Sequence, residues 1–156
     1  MVGLDKMIIR QVDKTILEKE PYQVWNAFVD LLAMEEYDNL SDIQRIAHLA
    51  FWYDTEVNNG GHLQYFENKR TNHLTDTINA LKTLGAISQA EILREAGNQF
   101  LNKERKPIKS VFTFVRKAKE GEFDEFDNRY YECDPSIQDL LEEYLEKNKD
   151  HFVEVL

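Results

Sequence analysis

Apolar residues recur at spacings of three and four along most of the chain, which is the period of an amphipathic α-helix. Stretches with this period cover residues 24–32, 43–50, 74–84, 92–100 and 137–145. At 156 residues the chain is long enough to bury a substantial core and short enough to be one domain. The pattern predicts an all-α fold, a single compact domain of about seven helices over residues 1–156.

Capping residues mark the expected helix starts. Ser41 with Gln44, and Ser88 with Glu91, have the spacing of capping boxes. Either Thr71 or Asn72 should cap the helix of residues 74–84, which Gly85 should end. An acidic residue followed by proline, Asp134-Pro135, should open the last helix, and Pro21 should open an early one.

The remaining segments are less regular. Residues 103–109 are basic, contain Pro107 and predict a surface loop. Residues 111–115 are β-branched and aromatic, so a short strand and a turn of helix stay open as alternatives. Residues 122–131 place Phe123, Phe126 and Tyr130 on one helical face.

One sequence break is highly specific: Asn58-Asn59-Gly60-Gly61, hereafter the Asn-Gly turn. Asn and Gly tolerate left-handed backbone angles, so the preceding helix should stop at about residue 57 and a short one should follow to residue 68. We expect positive φ at Asn59, Gly60 or Gly61, with the Gln64 side chain facing the turn. Aromatic residues on both sides predict that the turn is buried, with its polar side chains as scaffold.

The net charge of −10 is unevenly distributed. Acidic and basic residues cancel over residues 1–119, whereas residues 120–156 contain thirteen acidic and three basic side chains. This asymmetry argues against direct nucleic-acid binding, which requires a basic surface. It permits a basic protein partner, and the alternative is an acidic face that only keeps the protein soluble.

The acidic residues of the last helix lie on one side of it, opposite the apolar ones. We call these residues the acidic stripe: Asp139, Glu142, Glu143, Glu146 and Asp150. Like charges at these spacings destabilise a helix slightly, which favours a surface used for binding. The expected partner-binding surface joins the stripe to four further residues, Glu122, Asp124, Glu125 and Asp127.

Signatures of enzymatic chemistry are weak. The four histidines show no metal-binding spacing, and neither a phosphate-binding glycine loop nor a nucleophile elbow is present. Cys133 lies in an acidic stretch that disfavours its thiolate. We therefore expect a non-enzymatic protein without metal or cofactor. An acid–base pair of His62 with Glu56 remains the alternative.

The compartment is indicated by three features of the sequence. A single cysteine excludes an internal disulfide framework, and no apolar run is long enough for a membrane span. The N-terminal residues lack an apolar signal core. A cytoplasmic protein is expected.

The run from Glu56 to Asn68, EVNNGGHLQYFEN, resembles the signature of the bacterial DNA-mimic protein family, DMP nineteen and its relatives. The segments NALKTLGA (residues 79–86) and FDNRYY (residues 126–131) are similar as well, and the resemblance covers about residues 30–152. Within the signature, the residues expected to be structural are Glu56, Asn58, Asn59, Gly60, Gly61, Gln64, Tyr65 and Phe66.

The resemblance implies a mostly helical cytoplasmic protein that is often a homodimer. In the best-known relative, negative side chains imitate DNA phosphates and sequester a helix-turn-helix transcription factor. The expected function is thus an acidic binding protein that occupies the DNA-binding surface of such a factor or of another basic protein. Alternatives are an interaction module for another basic partner, such as a toxin or secretion component, and a ligand-binding or hydrolytic protein that uses the Asn-Gly turn.

Overall fold

Eight α-helices and two short strands form the part of the chain that the computed structural model describes, residues 7–156. The helices are α1 (Lys14–Lys19), α2 (Gln23–Met34), α3 (Asp42–Lys69), α4 (Leu74–Leu84), α5 (Ile87–Leu101), α6 (Val111–Glu120), α7 (Asp124–Tyr131) and α8 (Ile137–Lys147). The strands are β1 (Arg10–Val12) and β2 (Val153–Val155). The prediction of a compact all-α domain is confirmed, with one helix more than expected. No helix in the described range is long and apolar enough to cross a membrane.

The long helix α3 is the centre of the fold. The predicted capping box starts it: Ser41 Oγ accepts the Gln44 amide proton at 3.3 Å, and Gln44 Oε1 accepts the Ser41 amide proton at 2.9 Å. Gln44 is fully buried, and its Nε2 also donates to the carbonyls of Ile8 (2.5 Å) and His151 (2.8 Å). One side chain therefore fixes both ends of the described chain to the start of α3.

Aromatic side chains fill the core around α3. Phe66 stacks on Phe100 of α5 with ring centroids 4.5 Å apart, and Phe28 of α2 meets Phe152 edge to face at 4.8 Å. Each of these rings is at most 7% exposed. Burial of one such side chain stabilises the fold by about 1.5–3 kcal/mol, so these contacts hold α5 against α3 and the segment before β2 against α2.

The two strands and α1 are absent from the sequence prediction. β1 and β2 pair in parallel, with Arg10 opposite Val153 and Val12 opposite Val155. Each strand is only three residues long, and the paired residues lie at opposite ends of the chain. A segment this short shows no recognisable period, so only the tertiary fold defines it.

Several predicted helix starts are wrong by one to three residues. Ser88 is not a cap, because the short connection through Gly85 and Ala86 already starts α5 at Ile87. Gly85 does end α4, with φ 99°. Residue 73, rather than Thr71 or Asn72, precedes α4 in a left-handed conformation.

The start of the last helix also differs from the prediction. Ser136, rather than Asp134, caps α8: its backbone is extended and its Oγ accepts the Asp139 amide proton at 3.1 Å. Pro21 lies in the turn before α2, which begins at Gln23. Residues 111–115 are helical, and residues 104–109 form the predicted loop.

Candidate functional site

The backbone of α3 is broken at Gly60 (φ −152°, ψ 23°) and Gly61 (φ 72°, ψ −173°). The prediction of positive φ in the Asn-Gly turn is confirmed at Gly61. The expected stop at residue 57 is too early, since Asn58 and Asn59 remain helical. A Cβ at Gly61 would overlap the Asp127 carboxylate, and one at Gly60 would overlap the Gln64 side chain. Both glycines are thus required by close approach, and Gln64 faces the turn as predicted.

A buried carboxylate connects the two halves of α3 across this break. Glu56, which is 7% exposed, accepts hydrogen bonds from Gln64 Nε2 at 3.0 Å and from Asn68 Nδ2 at 2.6 Å. Glu56 precedes the break, and both donors follow it. The amide of Asn58 donates to Asp54 at 3.0 Å. From the sequence, the amides of Gln64 and Asn58 were expected to bond the turn backbone. In the structure they donate to the Glu56 and Asp54 carboxylates instead.

The other signature residues divide between core and surface. Tyr65 and Phe66 are at most 2% exposed, and burial raises the pKa of Tyr65 to about 12. Asn59 is exposed. The signature is therefore mainly a set of core and turn residues.

His62 is fully buried directly behind the break. Its backbone N–H donates to Asp127 Oδ1 at 2.8 Å, and its Nδ1 lies 2.7 Å from the same oxygen. Its Nε2 lies 2.7 Å from the hydroxyl of Tyr53. Both ring nitrogens therefore have a polar partner, the Asp127 carboxylate at Nδ1 and the Tyr53 hydroxyl at Nε2. His62 therefore fixes α7 to the break in α3.

The alternative pairing of His62 with Glu56 is wrong, since Asp127 is the partner. Asp127 lies 65 residues away in the sequence, so no local spacing indicates the contact. The sequence offered one indirect signal for this contact: the segment of residues 126–131, which contains Asp127, and the signature around the turn both carry the family resemblance.

A second polar contact lies beside His62. The Tyr130 hydroxyl donates to the carboxylate of Asp54, and the Tyr130 ring packs edge to face on Tyr53 at 5.4 Å. Burial raises the pKa of Tyr53, Tyr130 and Asp54 above their ordinary values, and the Asp54 carboxylate raises that of Tyr130 further. Tyr53 is 0% exposed and occupies the Nε2 side of His62, so that nitrogen faces the core rather than a cleft.

The acidic stripe lies on the outer side of α8 through four of its residues, while Asp150, expected in the same helix, lies just beyond it in the 3₁₀ turn Lys149–His151. All five of its residues are exposed, whereas Ile137, Leu140, Leu141 and Leu145 on the opposite side are buried. Across residues 7–156, the stripe carboxylates form no ion pair, unlike Asp30, Glu95 and Glu122, which each pair with an arginine. The stripe therefore presents uncompensated negative charge to solvent.

The four acidic residues around α7 occupy two different environments. Asp124 and Glu125 are exposed. Glu122 binds Arg105 through both carboxylate oxygens, at 2.7 and 2.5 Å, and this contact lowers the pKa of Glu122. Asp127 is engaged by His62. α7 packs against α3 and α5, and α8 packs against α2, α3 and α4, so a continuous surface across both helices stays a prediction.

Cavities and cation sites add little to this arrangement. One cavity, of about 530 Å³, lies between the break in α3, the loop after α5, and α6, and Gly60 and Asp127 line it. His62 is buried behind these two lining residues. Among residues 7–156 no group of three or more His, Cys, Asp or Glu side chains is arranged to hold a metal ion.

Comparisons with known proteins give one result. A family model described as DMP19-like protein matches residues 38–148, a range that contains the break in α3, the His62–Asp127 contact and most of the acidic stripe. No curated protein and no solved structure matches the chain. Since the match covers more than half of the sequence, the chain belongs to the DMP19-like protein family.

Proposed function

We propose that this protein is an acidic, non-enzymatic binding protein whose α8 surface occupies the DNA-binding surface of a basic protein, such as a helix-turn-helix transcription factor. The observation that carries the proposal is the acidic stripe: five exposed carboxylates, four of them on the outer face of α8 and the fifth, Asp150, just beyond its end. Their charge is uncompensated within the described residues, and it can therefore act on a partner.

The spacing of the stripe supports the choice of partner. Residues one helical turn apart, such as Glu142 and Glu146, lie about 5–6 Å from each other. Phosphates along a DNA strand follow an axial rise of about 3.4 Å per nucleotide, which is the same order of distance. A helix-turn-helix protein could therefore meet the stripe with the cations that it uses on DNA.

The non-enzymatic part of the proposal is supported by the geometry around His62. A histidine between a carboxylate and a hydroxyl resembles a catalytic arrangement. Here the hydroxyl belongs to Tyr53, which is 0% exposed, and His62 is itself fully buried. A substrate would have to enter the core to meet either group, whereas a clamp between α3 and α7 needs no such access.

Charge reversal on the stripe tests the proposal. Changing Glu142, Glu143 and Glu146 to lysine should abolish capture of the partner, and rising salt should weaken capture by the native protein steeply. The matched control reverses Glu18, Glu36 and Glu104, which are exposed and in no ion pair among residues 7–156. Both variants change the net charge equally. Equal loss of capture in both would show that total charge, and not the stripe, attracts the partner.

A further inference from the structure

Helix α6 presents apolar side chains to solvent. None of its ten residues is buried, and Val111, Phe112 and Val115 are 81%, 79% and 44% exposed. The helix is nevertheless well specified at both ends. Ser110 Oγ accepts the Thr113 amide proton at 3.1 Å, and Gly121 ends the helix with φ 69°. Both ends of α6 are therefore specified locally, and of its four large apolar side chains only Phe114 is half-buried.

The orientation of α6 is inverted relative to an ordinary surface helix. At about 100° per residue, Val111, Phe112 and Val115 lie within a third of the helix circumference. Thr113 and Lys117 are on the other side and line the cavity of about 530 Å³ between α6 and the rest of the protein. An amphipathic helix at a protein surface normally turns its apolar side inward. This inversion indicates that the outer side of α6 is a contact surface.

The charge around this face indicates what kind of partner covers it. Residues 103–119 contain seven lysines and arginines and one glutamate, in a chain with a net charge of −10. Lys109 lies before the apolar face, and Arg116 and Lys119 lie near its end. Two copies of α6 packed against each other would bring these cations together, which costs free energy. An acidic surface would instead complement them.

We propose that the outer face of α6 binds an acidic amphipathic helix of a protein partner. The apolar side of that helix would cover Val111, Phe112 and Val115, and its carboxylates would meet the cations at the two ends of the face. This surface is separate from the acidic stripe on α8. It binds an acidic partner, whereas the stripe binds a basic one. It would allow the protein to hold a basic and an acidic partner at once.

A designed peptide tests this proposal directly. The probe is a fluorescent helical peptide with leucines along one face and glutamates at the other positions, and the control peptide has lysine in place of every glutamate. Anisotropy titration should show saturable binding of the glutamate peptide, at least about tenfold tighter than the lysine peptide. Phe112→Ser should weaken binding of the glutamate peptide by at least about tenfold, because it removes an aromatic ring that the bound peptide would bury.

The matched control is Ile87→Ser, which removes another exposed apolar side chain, 62% exposed, at the start of α5. It should change binding by less than about twofold. Both residues are exposed, so both variants should retain the helical circular dichroism and melting temperature of the native protein. Four results would overturn the proposal: no saturable binding, equal binding of both peptides, self-association that Phe112→Ser abolishes, or binding to anionic lipid vesicles that Phe112→Ser abolishes.

Discussion

Gly61 is the residue on which the local structure of the Asn-Gly turn depends most. Its φ of 72° is accessible to glycine at little cost, and its missing side chain leaves room for the Asp127 carboxylate. That carboxylate in turn accepts two hydrogen bonds from His62. One missing methyl group therefore permits the contact between α3 and α7.

Gly61→Ala should lower the free energy of unfolding by about 3 kcal/mol, through left-handed strain and displacement of Asp127. Gly121→Ala is the control, because Gly121 has a similar φ of 69° but faces Asp124, which is exposed and free to move away. The control should cost only about 1–2 kcal/mol. Urea denaturation measures both. Equal losses would mean that the approach of Asp127 to Gly61 contributes nothing.

His48 should make stability depend on pH. Burial lowers its pKa from 6.5 to about 4, while its Nδ1 lies 3.0 Å from the Leu32 carbonyl. As pH falls, His48 is therefore protonated near pH 6.5 in the unfolded chain but only near pH 4 in the folded protein. Stability from this residue is fully present above pH 6.5 and is lost as pH falls toward 4, by about 3 kcal/mol.

Denaturation at a series of pH values checks this expectation. His48→Gln should flatten the acid side of the stability curve, since glutamine can donate to the same carbonyl without titrating. The control, His151→Gln, should leave that slope in place. An unchanged slope in His48→Gln would contradict the assigned role of His48.

At the scale of helices, periodicity alone was sufficient to predict the main elements and their buried faces. Phe123, Phe126 and Tyr130 are all buried, as predicted, and Gly85 ends α4. Helix starts were harder, because several residues near each start could serve as caps. Which of them does so depends on the conformation of the connecting segment, as at Ser136.

Substitutions at Ser136, which caps α8, and at Ser88, which does not cap α5, measure the contribution of a cap to stability. Ser136→Ala should destabilise the protein by about 1 kcal/mol, because it removes the acceptor for the Asp139 amide proton at 3.1 Å. Ser88→Ala should be close to neutral, because Ser88 lies inside α5 and is exposed. Thermal melts of both variants would decide between them. A larger loss for Ser88→Ala would restore the capping box expected from the sequence.

Contacts between distant segments could not be predicted from local patterns. The pairing of β1 with β2 and that of His62 with Asp127 depend on the packing of whole helices. The acidic stripe was predictable because four of its five residues belong to α8 and Asp150 follows directly after it. The inverted orientation of α6 was not, because an amphipathic sequence does not reveal which side faces the protein.

At the scale of the molecule, charge is separated between two surfaces. The acidic stripe carries carboxylates that are unpaired within residues 7–156, while residues 103–119 around α6 contain seven basic side chains and one acidic one. Such separation favours oriented binding of charged partners, since each surface attracts one sign of charge and repels the other. We propose that the basic partner binds the acidic stripe.

Displacement by DNA tests that assignment most directly. The partner is captured from native lysate on the immobilised protein, purified after identification, and rebound in the presence of increasing mixed-sequence duplex DNA. If the stripe covers the DNA-binding surface of the partner, DNA should release it completely, and added protein should in turn inhibit the partner's binding to DNA. A ternary complex that persists at saturating DNA would contradict the account.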